Sequence, residues 1–246
     1  MRIRVAAIII VPLVVAAACG GSTTKQSHTP AATPAPVSAE AFKAAAQKAI
    51  DASMIAAGDF PAGWNSSPQN SSNDSDVKFS PPCEIFNSEE DYPNSVASTK
   101  SLNFDGQNHE EISSDGAVFA TADIAQQEQK KYEDALAQCH DEMVRIFTEI
   151  FQRELADQGA TGIHVAFDDL PFHAYGDWTH AYRVSFTVDL PRGQVSGKID
   201  SVAMRSARVV GNLTFADFGG LDPRIHDGLA DIFADRLAKA EASLPQ

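Results

Sequence analysis

The sequence predicts an α+β fold, an antiparallel sheet with amphipathic helices packed on one face, behind a leader and a tether. Three observations carry this. Apolar residues recur every three or four places in Ala41 to Ala56, in Ala122 to Leu155 and after Asp222. Between Gly162 and Phe215 the period drops to two, the mark of half-buried strands. Short turns separate these strands, and only antiparallel neighbours can be joined so tightly.

The first element lies outside the fold. Arg2 and Arg4 precede fourteen uncharged residues, Val5 to Ala18, interrupted by Pro12. A spanning helix needs about 20 apolar residues, so this stretch reads as a secretory leader with small residues, Ala16 to Ala18, at its cleavage end. Cys19 and Gly20 follow at once. The run A-A-A-C-G resembles the lipobox of bacterial lipoproteins, whose cysteine thiol takes a diacylglyceryl group and becomes the mature N-terminus. Residues 1–18 are then the signal peptide and Cys19 the lipid anchor. Two or more acyl chains hold a protein stably at the membrane, where one does not. Residues 20–36, GGSTTKQSHTPAATPAP, have no bulky apolar side chain and read as a disordered tether averaging about 23 Å. Residues 37–246 then form one globular domain.

Charge excludes several partners. The chain carries 19 basic and 33 acidic residues, a net charge of −14. Loss of Arg2 and Arg4 with the leader makes it more negative still. Nucleic acid is excluded, because binding it rests on neutralising phosphates. An anionic membrane surface repels the chain too, so lipid rather than charge must hold it there. Cys83 and Cys139 remain after Cys19 and read as a disulfide in an exported chain. No C-x-x-C spacing suggests metal or redox chemistry.

The first helix carries Phe42, Ala45, Ala46, Ile50 and Met54 on one stripe and ends at the turn GDFPAGW. Asn65 to Asp76 is a polar loop; its N-x-S sequons would matter in a eukaryote, whereas the lipobox points to a bacterium. Short strands are expected at Val77 to Phe79, Ala97 to Phe104 and Ala117 to Ala120. Ala122 to Leu155 reads as one long helix burying Tyr132, Leu136, Cys139, Met143, Ile146, Phe147, Ile150 and Phe151. Strands follow at Ile163 to Phe167, Tyr182 to Leu190, Val195 to Met204 and Ala207 to Phe215. Asp222 and Pro223 are a cap and first residue for a last helix, expected to bury Ile225, Leu229, Ile232, Phe233 and Leu237. No internal repeat is present.

Several of these features together resemble a group of exported actinobacterial lipoproteins that includes the extracellular sensor domain of PknH-type serine/threonine kinases. They are D-F-P-A-G-W (Asp59 to Trp64), Ala117-Val-Phe-Ala before the long helix, and Cys139 within it. The closing strand pair Arg205 to Phe215 and the final helix also fit. The resemblance implies an antiparallel α/β domain with a cleft that senses or binds an unidentified ligand. Those domains commonly have two disulfides, whereas this chain can make one. No catalytic residues carry over.

Enzymatic motifs are missing. In Gly193-Gln-Val-Ser196-Gly197 the serine is one place off the centre of G-x-S-x-G, and it sits in a hairpin. His140-Asp-Glu lacks a second histidine, since position 144 is Val144. His164, Asp168, Asp169, His173, Asp177 and His180 have metal-like composition without a one-face spacing. Glu89-Glu90 and Glu110-Glu111 read as solvated acids. No cofactor is expected. The segment LPFHAYGDWTHAY (Leu170 to Tyr182) concentrates aromatic residues around a turn. Phe172, His173, Tyr175, Trp178 and Tyr182 are the candidate ligand residues, either capping the sheet end or lining a cleft mouth.

The functional expectation is a membrane-anchored, extracytoplasmic, non-enzymatic domain that binds a small-molecule, lipid or protein ligand in the cell envelope. The alternatives are a lipid or glycolipid carrier and an envelope hydrolase with a non-contiguous site. If Cys19 is lipidated, a fatty-acid analogue fed to the producing cells labels the protein, and Cys19→Ala abolishes the label and releases the chain from membranes. Labelling that survives the substitution refutes the lipobox.

Overall fold

The computed structural model describes residues 37–69, 77–87, 92–218 and 220–245. The leader, Cys19, the tether, Glu89-Glu90 and most of the polar loop lie outside the described residues. The elements in chain order are α1 (Ala39–Ser53), β1 (Asn65–Ser67), β2 (Ala97–Lys100), β3 (Asn103–Asp105), β4 (Glu111–Val118), α2 (Ala122–Gln138), α3 (His140–Glu154), β5 (Thr161–Asp169), β6 (Trp178–Leu190), β7 (Gly193–Ser206), β8 (Val209–Asp217) and α4 (Pro223–Ser243). Side chains cap three of the helices: the Ser38 hydroxyl accepts from the Ala41 N–H, Thr121 from Ile124, and the Asp222 carboxylate from Arg224. No helix among the described residues is long and apolar enough to cross a membrane.

The eight strands form one sheet in the order β1-β3-β4-β8-β7-β6-β5, with β2 also pairing β4, and every pairing is antiparallel. Its backbone is the β6–β7 hairpin, paired without interruption from Trp178↔Arg205 to Leu190↔Gly193. The fold class is therefore the one the sequence predicts.

The placement of the helices differs from the expectation of one covered face. α1 and α4 pack on one side, over Ile112, Val202, Met204, Leu213 and Phe215. On the other side, α2 and α3 pack over Val184, Phe167 and Ile199, with Ala125 of α2 against Ala117 and Val210. Strand alternation puts neighbours such as Val209 and Val210, or Ala117 and Val118, on opposite faces. Both members of each pair are apolar, so one helical layer cannot cover them.

Close helix approach on the first face rests on two glycines that face each other across β4 and β8, Gly116↔Gly211. A Cβ on Gly116 would lie 2.8 Å from the Val210 carbonyl oxygen of β8, 3.0 Å from Ile50 Cδ1 of α1 and 3.2 Å from Cε of Met54, which caps that helix. One on Gly211 would lie 2.6 Å from Phe233 Cζ and 3.0 Å from Leu237 Cδ2 of α4. The bare strip lets both helices seat their large side chains on the sheet.

Other boundaries depart from the sequence reading for local reasons. β4 starts at Glu111 rather than Ala117, because its inward positions include Ser114 and Gly116, which carry no apolar signal. Ser114 is fully buried, and its hydroxyl accepts the Ile55 N–H at 3.1 Å. Ala97 to Phe104 breaks into β2 and β3. Lys100 pairs with Asp115 and Phe104 with Ile112, which leaves one more residue on this side than on β4, a bulge. Val77 to Phe79 forms no strand; Phe79 packs on Phe86 with ring centroids 5.2 Å apart.

The long helix bends at Cys139, whose ψ is 14°. Its N–H still bonds the Ala135 carbonyl and its carbonyl still accepts from Met143, so the chain turns without a loop. Each half can then follow its own part of a twisted sheet. Glu110 is not solvated. It is buried at the β3–β4 turn, and its carboxylate accepts the Asn108 N–H at 2.8 Å and the Asn108 side-chain amide at 3.0 Å. Burial alone would raise its pKa; the hydrogen bonds outweigh that and leave it lowered. Ile232 is exposed rather than buried, off the α4 stripe of Leu229, Phe233 and Leu237.

The glycine strip gives a direct test. Gly211→Ala should destabilise the domain by about 1–3 kcal/mol, the usual cost of overpacking, because Phe233 is fully buried and has nowhere to move. Gly228→Ala on α4 meets nothing within 4 Å, and should be neutral or add up to about 1 kcal/mol of helix propensity. Urea unfolding of both variants measures this. A neutral Gly211→Ala contradicts the close approach.

Candidate ligand-binding cleft

The cover over the α2 side of the sheet is incomplete. Between α2 and the strands lies a cleft of about 510 Å³. Its floor is Asp115 of β4, Val210 and Asn212 of β8, and Ala203 of β7. Glu128, Gln129 and Tyr132 of α2 form the roof. Space opens because the floor is low. Ala203 is small, and Asn212 is held flat, accepting from the Ser201 hydroxyl at 2.7 Å and donating to Thr214 at 3.1 Å.

Two walls close the sides. Trp178, the first residue of β6, supplies one. Its indole N–H donates to the Glu133 carboxylate of α2. The other comprises Ile85 and Phe86 on a 3-10 turn, Cys83–Asn87, together with Tyr92. The Cys83–Cys139 disulfide, with a Cα–Cα distance of 5.8 Å, ties that turn to the joint between α2 and α3. Phe86 meets the Tyr132 ring edge-on at 6.0 Å. The crosslink thus fixes a wall of the cleft to its roof.

Polar groups around the cleft are engaged with one another. The Tyr92 hydroxyl donates to Asp115. Arg205 Nε donates to Gln129 Oε1 at 2.6 Å. Glu128 accepts from Lys131 at 2.6 Å and from Asn94 at 3.2 Å. Burial, followed by the neighbouring Tyr182, pushes the Tyr132 phenol well above its ordinary range, so it stays neutral. Such a network holds a shape.

The five aromatic-segment residues separate. Trp178 enters the cleft. Tyr182 shares that face of the sheet but is packed beneath α2, its ring 5.0 Å from Phe167 and its hydroxyl 3.5 Å from that of Tyr132. Phe172 and Tyr175 lie on the opposite side against α4. Phe172 packs on His226 at 5.4 Å, and the Tyr175 hydroxyl donates to Asp231 at 2.6 Å. Burial first, then Asp231, raises the Tyr175 pKa. His173 is exposed. Phe172 and Tyr175 thus cap the sheet, while Trp178 lines the cleft.

The metal-like cluster does not converge. His180 lies 3.4 Å from Asp169, and among the described residues no group of three or more His, Cys, Asp or Glu side chains is placed to hold an ion. His140 begins α3. Its two ring nitrogens face two acceptors, Asp141 at 3.2 Å and the Phe167 carbonyl at 2.6 Å. Only the imidazolium can donate to both, and the Asp141 bond leads in raising its pKa.

One polar group escapes the sequence reading, in which Arg183 belongs to the polar face of its strand. It turns under α4 and donates to both oxygens of the buried Asp200, at 2.6 and 2.7 Å. His226 lies 3.6 Å from the same carboxylate, beyond hydrogen-bond reach. The trio is an ion pair on a buried carboxylate beside an imidazole whose ring is tilted against that of Phe215, centroids 4.1 Å apart. The only sequence signal is the pairing of charges at facing positions of β6 and β7, Arg183↔Asp200.

No family model matches the chain, and no curated protein matches it. The chain is weakly similar to a solved structure, the crystal structure of the extracellular domain of PknH from Mycobacterium tuberculosis. It aligns over 80% of this chain and 97% of that one, at 11% identity and a TM-score of 0.43.

Proposed function

We propose that residues 37–246 form a non-enzymatic binding domain whose ligand occupies the cleft beneath α2. The domain is held at the extracytoplasmic face of the cell membrane by lipid on Cys19, with residues 1–18 removed and residues 20–36 as the tether. One observation carries the binding role. A walled space of about 510 Å³, within the 300–1,000 Å³ typical of small-molecule sites, lies between a disulfide-anchored turn and a helix. The anchoring rests on the lipobox sequence. A single compartment of this size suits a small organic molecule better than a diacyl lipid, which favours a ligand-binding domain over a lipid carrier. The engaged carboxylates and phenols favour binding over hydrolysis.

The environment-sensitive neutral dye Nile red tests the cleft. It should bind one per chain and quench the fluorescence of Trp178, one of two tryptophans. Trp178→Ala should weaken binding by about tenfold, in the range for loss of a buried aromatic contact. Tyr175→Phe, on the far face, should leave it unchanged. Failure of the dye to bind, or indifference to Trp178→Ala, defeats the proposal.

A further inference from the structure

The ligand's chemical class follows from what lines the cleft, given the reading of the cleft as a binding site. We infer that it takes an organic ammonium, a cationic nitrogen on an apolar body. Five aromatic side chains line the space: Phe86, Tyr92, Phe119, Tyr132 and Trp178. Aromatic rings carry negative faces, and several around one space form the kind of cage that holds a quaternary or alkylated ammonium.

Charge agrees with the rings. Among the described lining residues the ionisable acids are Asp115 and Glu128, and no Lys, Arg or His is present. Lys100 stands opposite Asp115 across the β2–β4 pairing without lining the space, and two other nearby cations are engaged. Lys131 folds onto Glu128, and Arg205 is taken up by Gln129 and by Asp177 at 3.6 Å. Asp115, on the floor and bonded by the Tyr92 hydroxyl, brings a carboxylate charge to the space. Two of the rings are also made more electron-rich by their hydrogen bonds, since Trp178 donates to Glu133 and Tyr92 to Asp115. An indole or phenol that donates to a carboxylate gains π density, and so attracts a cation more strongly.

The same features select against other ligands. A phosphate, sulfonate or carboxylate would meet Asp115 in a half-enclosed space where charge repulsion is little screened. The chain's net charge of −14 draws cations toward it in any case. A neutral ligand of equal shape would gain the apolar contacts and none of the cation–π attraction.

Calorimetric titration of the processed full-length protein separates these cases with three probes of one shape class. They are benzyltrimethylammonium, its neutral isostere neopentylbenzene, and benzenesulfonate. The ammonium should bind at least tenfold more tightly than the neutral probe, and the sulfonate should not bind. Asp115→Asn keeps an acceptor for Tyr92 and should reduce the preference to the part supplied by the rings, while leaving the neutral probe's affinity unchanged. Trp178→Leu should weaken the ammonium more than the isostere. Vesicles of phosphatidylcholine, offered to Cys19→Ala protein so that no acyl chain inserts, distinguish the source. Binding of the free ammonium with no capture by vesicles indicates a soluble ligand, and capture by vesicles through Asp115 indicates a lipid headgroup of the same chemistry. Equal affinity for ammonium and isostere in a protein that binds Nile red overturns the ammonium assignment and leaves the binding cleft standing. If Nile red also fails, the cleft reading falls with it.

Discussion

Strands β4, β8, β7 and β6 carry apolar side chains on both faces, and water must be kept from each. On the first face the Gly116–Gly211 pair removes side chains where α1 and α4 press closest, so Ile50, Phe233 and Leu237 reach the sheet. On the second face α2 and α3 must cover a longer, twisted surface, and the bend at Cys139 divides the task between them. α3 lies along β5 and β6, closing over Phe167 and Val184. α2 seats Ala125 against Ala117 at one end and Leu136 at the other, and stands off the low floor of Ala203 and Asn212 between. The cleft is what remains where the second layer does not meet the first.

The crosslink turns that gap into a site. Cys83 and Cys139 are both buried, and their bond carries the turn of Ile85 and Phe86 against the end of α2. Beyond it the turn is held by lighter contacts: Phe79 on Phe86, the Ser80 N–H to Glu142 at 2.9 Å, and Arg145 to the Lys78 carbonyl at 3.2 Å. Glu142 and Arg145 belong to α3, so these contacts also tether the turn's approach to the helix pair rather than to the sheet. Ile85 and Phe86 are thus tied to the helices, while Tyr92, the rest of that wall, is bonded to Asp115 of β4, so the cleft's width depends on how α2 sits over the sheet.

Much of the fold was legible because its signals are local. Alternation in Tyr182 to Leu190 marks β6, and the Asp222-Pro223 cap marks the start of α4. The cysteine pair needed only its count and the leader-like N-terminus. Elements whose residues answer to a neighbour rather than to their own period were not legible. Ser114 and Gly116 sit inward because α1 needs the room, and Glu110 is buried because Asn108 folds back on it. The second helical layer was hidden for the same reason, since Val209-Val210 and Ala203-Met204 look like short apolar runs in one dimension. The cleft is assembled from residues 85, 115, 132, 178 and 212, which no spacing rule connects. Trp178 could be singled out as an aromatic near a turn, yet nothing local distinguished its role from that of Tyr175, three residues earlier and on the other side of the sheet.

Dependence of the cleft on its crosslink is the point most open to direct measurement. The experiment compares Nile red affinity before and after mild reduction of Cys83–Cys139, at a temperature where far-UV circular dichroism and a cooperative melt show the reduced chain still folded. With the turn released from the α2–α3 joint, affinity should fall at least tenfold while the secondary structure holds. A folded, reduced protein that binds the dye as tightly as the oxidised one would contradict the central role given to this bond.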